Sequence, residues 1–511
     1  MDIELASPIR VKSYYKRTKI IATLGPAVTQ KLWDMKMFKD PKNKKLVKLA
    51  YERMEGIIKA GVTCVRLNFS HGSHEEQQIR INVAREVAKK LSRNISVMLD
   101  TKGPEIRLGQ IKNGPQPVAK DSKVTIYTLK NIIGDGKKFF VTDSTGTYNM
   151  AKDVKVGGII LVDDGKLQLK INKLDVAKGI IQTVALNSHF VNDKKRINLP
   201  NTEYSMPFLS QKDKDDILFG IKNNVDYVAA SFVNSKENVN EIRKFLDENG
   251  GSKIQIVSKI ESTHAIHNID EILEATNGVM VARGDLALEI PFYDVPYWQK
   301  YIIRKCRLIG KPSIVATQML DSLEKNIQPT RAEVTDVFFA VERGADATML
   351  SGESAQGLFP VQAVYTMRMI DKKSELLFDY RRSIDWYFPK AKLPDYTKKI
   401  AIKIAEKCMP HGSDVAPSFK YNFVVLFTSD KPTIWTVANI HPGATIIVVS
   451  DDHELMTCFG INYAIQTHLV PDINQAKLNY QEVARQAVDR FEPGEKQVGV
   501  FFDGKFRPFN N

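Results

Sequence analysis

Eight short, β-branched apolar runs constrain this chain more than any other feature. Lys19–Gly25 (KIIATLG), Thr63–Ser70 (TCVRLNFS) and Ser96–Thr101 (SVMLDT) come first; Val225–Phe232, Ile254–Glu261, Gly278–Arg283, Pro312–Thr317 and Ala347–Gly352 follow. Each is too brief for a helix and closes on polar or turn-forming residues. The last five start 24 to 35 residues apart, which leaves room for a crossover helix between parallel strands. Helix signals fill the gaps. Asn234-Ser235 caps Lys236–Glu248, and Thr330 with Glu333 forms a capping box for a helix stopping at Gly344. Helices are expected over Lys45–Lys59 and His74–Leu91, with Ser262–Asn277 as a further crossover helix. Eight strands in this rhythm predict an α/β fold built on a (β/α)8 TIM barrel.

Two stretches break the rhythm. From Lys102 to about Met206, glycines and DG turns separate alternating runs such as Leu167–Ile171, in which Leu167, Leu169 and Ile171 share a face. This predicts an inserted all-β lid domain, with Asp163-Asp164-Gly165 as a hairpin turn and a catalytic role for either Asp the minority reading. After the barrel, the runs FVVLFTS, TIIVVS, YAIQTHL and VGVFF alternate with helical stretches, as in a doubly wound α/β domain. The expected division is an N-terminal segment (1–17), barrel (18–102 and 207–375), β lid (103–206) and a C-terminal regulatory or oligomerisation domain (376–511).

A net charge of +14 in 511 residues raises the question of nucleic acid. The lysines are spread among acids, with no arginine-rich tail, RNA-recognition motif or zinc finger, so solvated faces and an anionic-substrate site account for most of the excess. The densest patch, Lys36, Lys39, Lys42, Lys44, Lys45 and Lys48, reads as an exposed loop and helix face. No apolar run reaches a membrane span, and the first residues lack an export signal, so a cytoplasmic enzyme without nucleic-acid or membrane partners is expected. Cys64, Cys306, Cys408 and Cys458 show no paired spacing and are expected as reduced thiols.

The chemistry lies at the strand ends. Arg66, Asn68 and Ser70 alternate at the end of the second run, so they share a face. Asp100 and Thr101 end the third, Lys259 and Glu261 the fifth, Arg283, Gly284 and Asp285 the sixth, and Thr317 the seventh. In a barrel all of these converge on the carboxyl-end face, where barrel enzymes keep their sites. Each alone has a bland reading as a helix cap, a solvated lysine or a satisfied hydroxyl; their joint placement does not. Two carboxylates without His or Cys suit a hard cation such as Mg2+, and Lys259 beside them suits an oxyanion that gains charge during reaction. His71, His74 and Glu75 lack a third ligand at zinc-like spacing, and there is neither a Walker A loop nor a GxGxxG.

The blocks TKIIATLGPA, VRLNFSHGSHEE, MLDTKGPEIR, VSKIES, VMVARGDLALEIP, VATQML, PTRAEVTDV and TMLSGESAQG, in this order, resemble the signature of the pyruvate kinase family. The resemblance covers roughly Thr18 to Glu375 and implies phosphoryl transfer from phosphoenolpyruvate to ADP, giving pyruvate and ATP, the last step of glycolysis. It implies Mg2+ (or Mn2+) on Glu261 and Asp285, with Lys259 stabilising the phosphoryl group and the enolate. Backbone N–H groups near Gly284-Asp285 would take the substrate carboxylate, and the Thr317 hydroxyl would deliver a proton. Asn68, Ser70, Asp100 and Thr101 match a K+ site, and Glu105 matches the K+-dependent branch. Arg66, Asn68, His71, Arg107 and Lys195 would hold transferring and nucleotide phosphates. A homotetramer is the family expectation.

Departures from the family pattern carry expectations of their own. Gln30–Lys48 is longer and more basic than the usual connection, and RINLP replaces the common GVNLP, so Arg196 could crowd or assist the lid hinge. In Thr428-Ser429-Asp430-Lys431-Pro432-Thr433, Asp430 repels phosphate and Pro432 removes a donor. The chain also ends in FFDGKFRPFNN without the usual glycine-rich closing loop. Weak or no activation by fructose 1,6-bisphosphate is expected.

Overall fold

The computed structural model describes residues 16–143, 145–412 and 417–509; residues 1–15 of the expected N-terminal segment lie outside them. Eight parallel strands close into a barrel: Lys19–Thr23, Cys64–Asn68, Ser96–Asp100, Tyr227–Ala230, Gln255–Ile260, Gly278–Ala282, Ser313–Ala316 and Ala347–Leu350. The first strand pairs with both neighbours, Lys19 opposite Ala347 and Ile21 opposite Cys64, which completes the ring. The third and fourth strands are adjacent, with Met98 opposite Tyr227, so the chain between them leaves and re-enters at one point.

These strands are apolar along their length because both faces are covered. Ile21, Met98, Tyr227, Val257, Met280 and Ile314 fill the interior, while Ile20, Val97, Val228, Ile256, Val279 and Val315 pack outward against helices. Ile461, from the C-terminal part, joins the interior layer, and Tyr227 Oη donates to the Cys458 carbonyl (2.7 Å). The helices expected over 45–59 and 74–91 span Lys44–Ala60 and His74–Lys90, the latter with a Ser73–Glu76 capping box. The expected crossover helix over Ser262–Asn277 is two short helices, Thr263–His267 and Ile269–Ala275. Asn268 separates them with φ −95° and ψ 15°, and its side-chain amide donates to the Asn234 carbonyl (2.8 Å).

The stretch between the third and fourth strands forms a smaller closed barrel of seven strands. In Leu167–Asp175 the residues Leu167, Leu169 and Ile171 are buried and their alternates exposed. Asp163, Asp164 and Gly165 all take positive φ (53°, 54° and 79°), the hairpin turn their sequence predicts. The C-terminal sheet runs Ile465–Leu469, Thr445–Ser450, Phe423–Phe427, Val498–Phe502 and Lys505–Arg507, all parallel but the last. Val424 and Val448 face one core and Val425 and Val449 another, as in a sheet covered on both sides. Lys36, Lys39, Lys42, Lys44, Lys45 and Lys48 are all exposed, and among the described residues no helix is long and apolar enough to cross a membrane. The four cysteines carry no disulfide.

Candidate active site

The ends of the second, fourth, fifth and sixth barrel strands meet the underside of the small barrel around a cavity of about 340 Å³. Arg66, Asn68, Ser70, His71, Lys259, Glu261 and Asp285 line it from below, and Arg107, Lys195 and Arg196 from above. Parallel strands carry their C-terminal residues to one edge, so side chains hundreds of positions apart reach one space.

Lys259 is the centre of the charge arrangement. Its ammonium donates to Ser231 Oγ (2.7 Å) and Asp100 Oδ1 (3.2 Å) and lies 3.0 Å from Glu261 Oε1. Burial works to lower its pKa, but Asp100 and Glu261 outweigh it, so the lysine stays charged. Asp100, itself buried, takes Arg66 Nε on its other oxygen (2.6 Å). Burial opposes the Asp100 carboxylate, but Arg66 and Lys259 hold its pKa below the ordinary value. Glu261 Oε2 accepts the Phe232 N–H (2.7 Å). Its titration is pushed up to about 7 by burial, with Lys259 opposing and Asp285 adding.

Glu261 Oε1 is buried and has no hydrogen-bond partner; the approach of Lys259 is an ion pair without hydrogen-bond direction. A buried carboxylate oxygen that a cation already approaches, in one cavity with a second carboxylate, fits a hard divalent cation. Among the described residues no three His, Cys, Asp or Glu side chains gather as a metal cluster. The residues expected for K+ are adjacent, with Asn68 registered opposite Asp100. Asn68 Oδ1 accepts the Ser70 N–H (3.0 Å), and Thr101 Oγ1 accepts the Ser231 N–H (3.1 Å).

Thr317 and Gln318, just past the seventh strand, have φ of 68° and 51°, strained values for a β-branched residue above all. Arg283 clamps them: Nη2 donates to the Thr317 and Gln318 carbonyls (2.6 and 3.1 Å), while Nη1 is fixed by both oxygens of Asp336 (2.7 and 2.6 Å). Thr317 Oγ1 accepts the Gly284 N–H (2.7 Å). The donor expected to meet a substrate carboxylate at Gly284 is therefore committed to that hydroxyl.

On the lid side, Arg107 bridges Glu105 (2.5 Å) and the Lys194 carbonyl (2.8 Å), and Lys195 pairs with Asp163 (2.8 Å). Partial burial and the Arg107 charge lower the pKa of His71. His74 bonds Asp216 (2.7 Å), away from any metal role. Arg196 crosses to Asp285 (2.5 Å). Ser231, Phe232 and Asp163 also line the cavity, and no motif in the sequence marks them as site residues. Ser231 lies just past the fourth strand and was findable by the strand-end rule; Asp163 reads as a turn residue, and nothing local announces that its carboxylate also faces the cavity.

Fold and site together define a barrel enzyme that handles anionic, phosphate-like groups beneath a β lid. The pyruvate kinase barrel-domain family matches residues 15–364. A pyruvate kinase of Mycoplasma pneumoniae is 49% identical over 94% of this chain and 95% of its own, and one of Mycoplasma genitalium is 47% identical over the same shares. A crystal structure of a pyruvate kinase from Cryptosporidium parvum superposes with a TM-score of 0.83 at 30% identity, covering 96% of this chain and 95% of the other. The chain belongs to the pyruvate kinase family and is a phosphotransferase.

Proposed function

We propose that the enzyme transfers the phosphoryl group of phosphoenolpyruvate to ADP, using Mg2+ or Mn2+ together with K+, and that residues 18–102 and 207–375 carry the chemistry beneath a lid of 103–206. The observation that carries this reading is the charged Lys259 paired with the buried Glu261 carboxylate, in one cavity with Asp285. A divalent ion on Glu261 and Asp285 would supply Lewis-acid polarisation of substrate oxygens. Lys259, kept charged by two carboxylates, stabilises negative charge on the phosphoryl group and then on the enolate oxygen. Arg66, fixed by Asp100 and Thr23 (2.6 and 2.9 Å), presents its guanidinium to the transferring phosphate. The Thr317 hydroxyl, held by the Arg283 clamp, serves proton delivery to the enolate carbon through water. Asn68, His71, Arg107 and Lys195 face the nucleotide phosphates, and the lid excludes water that would otherwise hydrolyse the donor.

Asn68, Ser70, Asp100 and Thr101 are our candidates for K+, with Glu105 balancing Lys102 and Arg107 (3.2 and 2.5 Å) rather than adding a fixed cation. In the C-terminal sheet Asp430 caps the helix Lys431–Asn439, accepting from Thr433 N–H and Oγ1 (3.0 and 2.5 Å). That carboxylate already takes the Thr433 N–H and hydroxyl at the start of this helix, which supports little or no activation by fructose 1,6-bisphosphate. Exposed Phe292, Tyr293 and Tyr297 are consistent with subunit contact in a homotetramer, and we infer a cytoplasmic enzyme. A coupled assay for pyruvate tests the reading. Pyruvate should form only with ADP, a divalent cation and K+ all present; formation without ADP would overturn the transfer, and full activity in K+-free buffer would overturn the K+ site.

A further inference from the structure

Arg196 opens the lid strand Arg196–Asn198, which is held between Ile106–Leu108 and Ile159–Val162. Its carbonyl accepts the Asp163 N–H (3.0 Å), so the backbone belongs firmly to the lid. The side chain nevertheless reaches the barrel: Nη1 meets Asp285 Oδ1 at 2.5 Å, and the guanidinium lies 5.0 Å over the ring of Phe232. Glu105 is 3.9 Å from Nε. Both partners of the Arg196–Asp285 pair are largely shielded, with side chains 22% and 21% exposed.

We propose that Arg196 is a tethered cation that occupies Asp285 when no metal is bound, latches the lid to the barrel, and is displaced when a divalent ion takes Glu261 and Asp285. This rests on the reading of those two carboxylates as the metal site. A carboxylate oxygen holding an arginine hydrogen bond at 2.5 Å cannot also present that lone pair to a metal, and a dication beside a guanidinium is repelled. The displaced side chain has somewhere to go, because Phe232 and Glu105 already flank it. Binding of metal and closure of the latch are then thermodynamically linked, each weakening the other by the same factor. A glycine at this position could do none of this.

The test is Mn2+ binding to the substrate-free enzyme, read by electron paramagnetic resonance of the free ion, on wild type, Arg196→Gln, Arg196→Lys and Glu261→Gln. Arg196→Gln should bind Mn2+ about tenfold more tightly, the change expected from removing a partly shielded competing ion pair. Arg196→Lys, which keeps the charge, should stay near wild type; a purely structural role would not separate the two. In wild type, Mn2+ should also speed hydrogen exchange in the lid strand around Arg196, and in Arg196→Gln that exchange should be fast without metal. Arg196→Met serves as a second neutral variant if the glutamine form does not fold. Unchanged or weaker Mn2+ affinity in the neutral variants, with binding lost in Glu261→Gln, overturns the latch alone. Undiminished binding in Glu261→Gln overturns the metal site and the latch with it.

Discussion

Lys259→Met is the sharpest single perturbation of this site. The ammonium lies 3.2 Å from Asp100 and 3.0 Å from Glu261, and at an effective dielectric of about 20 each contact is worth roughly 5 kcal/mol of Coulomb energy. Desolvating a buried ammonium cancels much of that, and what truncation exposes is the cost of leaving carboxylates unpaired, about 3–5 kcal/mol. Asp100 keeps Arg66 (2.6 Å) and burial already pushes Glu261 toward its protonated form, so protonation absorbs part of the loss and the variant should fold. The catalytic cost is of another kind. A preorganised cation aimed at developing charge is worth about 10²–10³ in turnover, and methionine supplies none of it. We expect kcat for pyruvate formation to fall about a thousandfold while KM for phosphoenolpyruvate changes far less, because the interaction strengthens in the transition state. Mn2+ affinity should hold or rise, since a cation has left Glu261. The coupled assay, run beside a thermal melt and Mn2+ titration, separates these effects. A folded variant with turnover within tenfold of wild type would refute the reasoning.

Arg283→Gln releases the strained Thr317-Gln318 segment from its clamp, so kcat should fall about tenfold through misplacement of the hydroxyl, with KM for phosphoenolpyruvate little changed; a KM effect alone would count against it. Asp226 is pushed up to about 7 by burial, despite bonds from Thr457 and the Val97 N–H. Its folded form therefore holds a proton that the unfolded chain releases near the ordinary carboxyl value. The stability this confers is full below the unfolded pKa and is lost as pH rises through about 7. Asp226→Asn should remove about 2–4 kcal/mol of that pH dependence in denaturant melts between about pH 4 and 8, and an unchanged slope would refute the assignment. Fructose 1,6-bisphosphate should leave the phosphoenolpyruvate saturation curve where it is, and a clear leftward shift at micromolar effector would show that Asp430 does not close that loop.

The barrel was legible because a parallel strand covered on both faces needs apolar residues at successive positions, a pattern that survives in VDYVAASF or IQIVSKIE whatever the helices between them do. Strand ends made Lys259, Glu261 and Asp285 legible for the same reason: topology alone delivers them to one face. What stayed hidden depends on contacts between segments remote in sequence. Asn268, where the expected crossover helix divides, bonds a carbonyl thirty-four positions away, and the left-handed backbone of Thr317 is held by Arg283, itself fixed by Asp336. Site residues could be named one by one, but their pairing could not, since Lys195 meets Asp163 only once the lid strands pair and Arg196 meets Asp285 only once the lid is docked. That pairing changes what the charge means. Seven cationic side chains and five carboxylates line the cavity, with Asp100 just beneath, so the mouth is close to neutral and the overall +14 is carried elsewhere. A near-neutral site gains little from a dication alone or a polyanion alone. It gains most when the two arrive together, and metal affinity should therefore rise when phosphoenolpyruvate is bound.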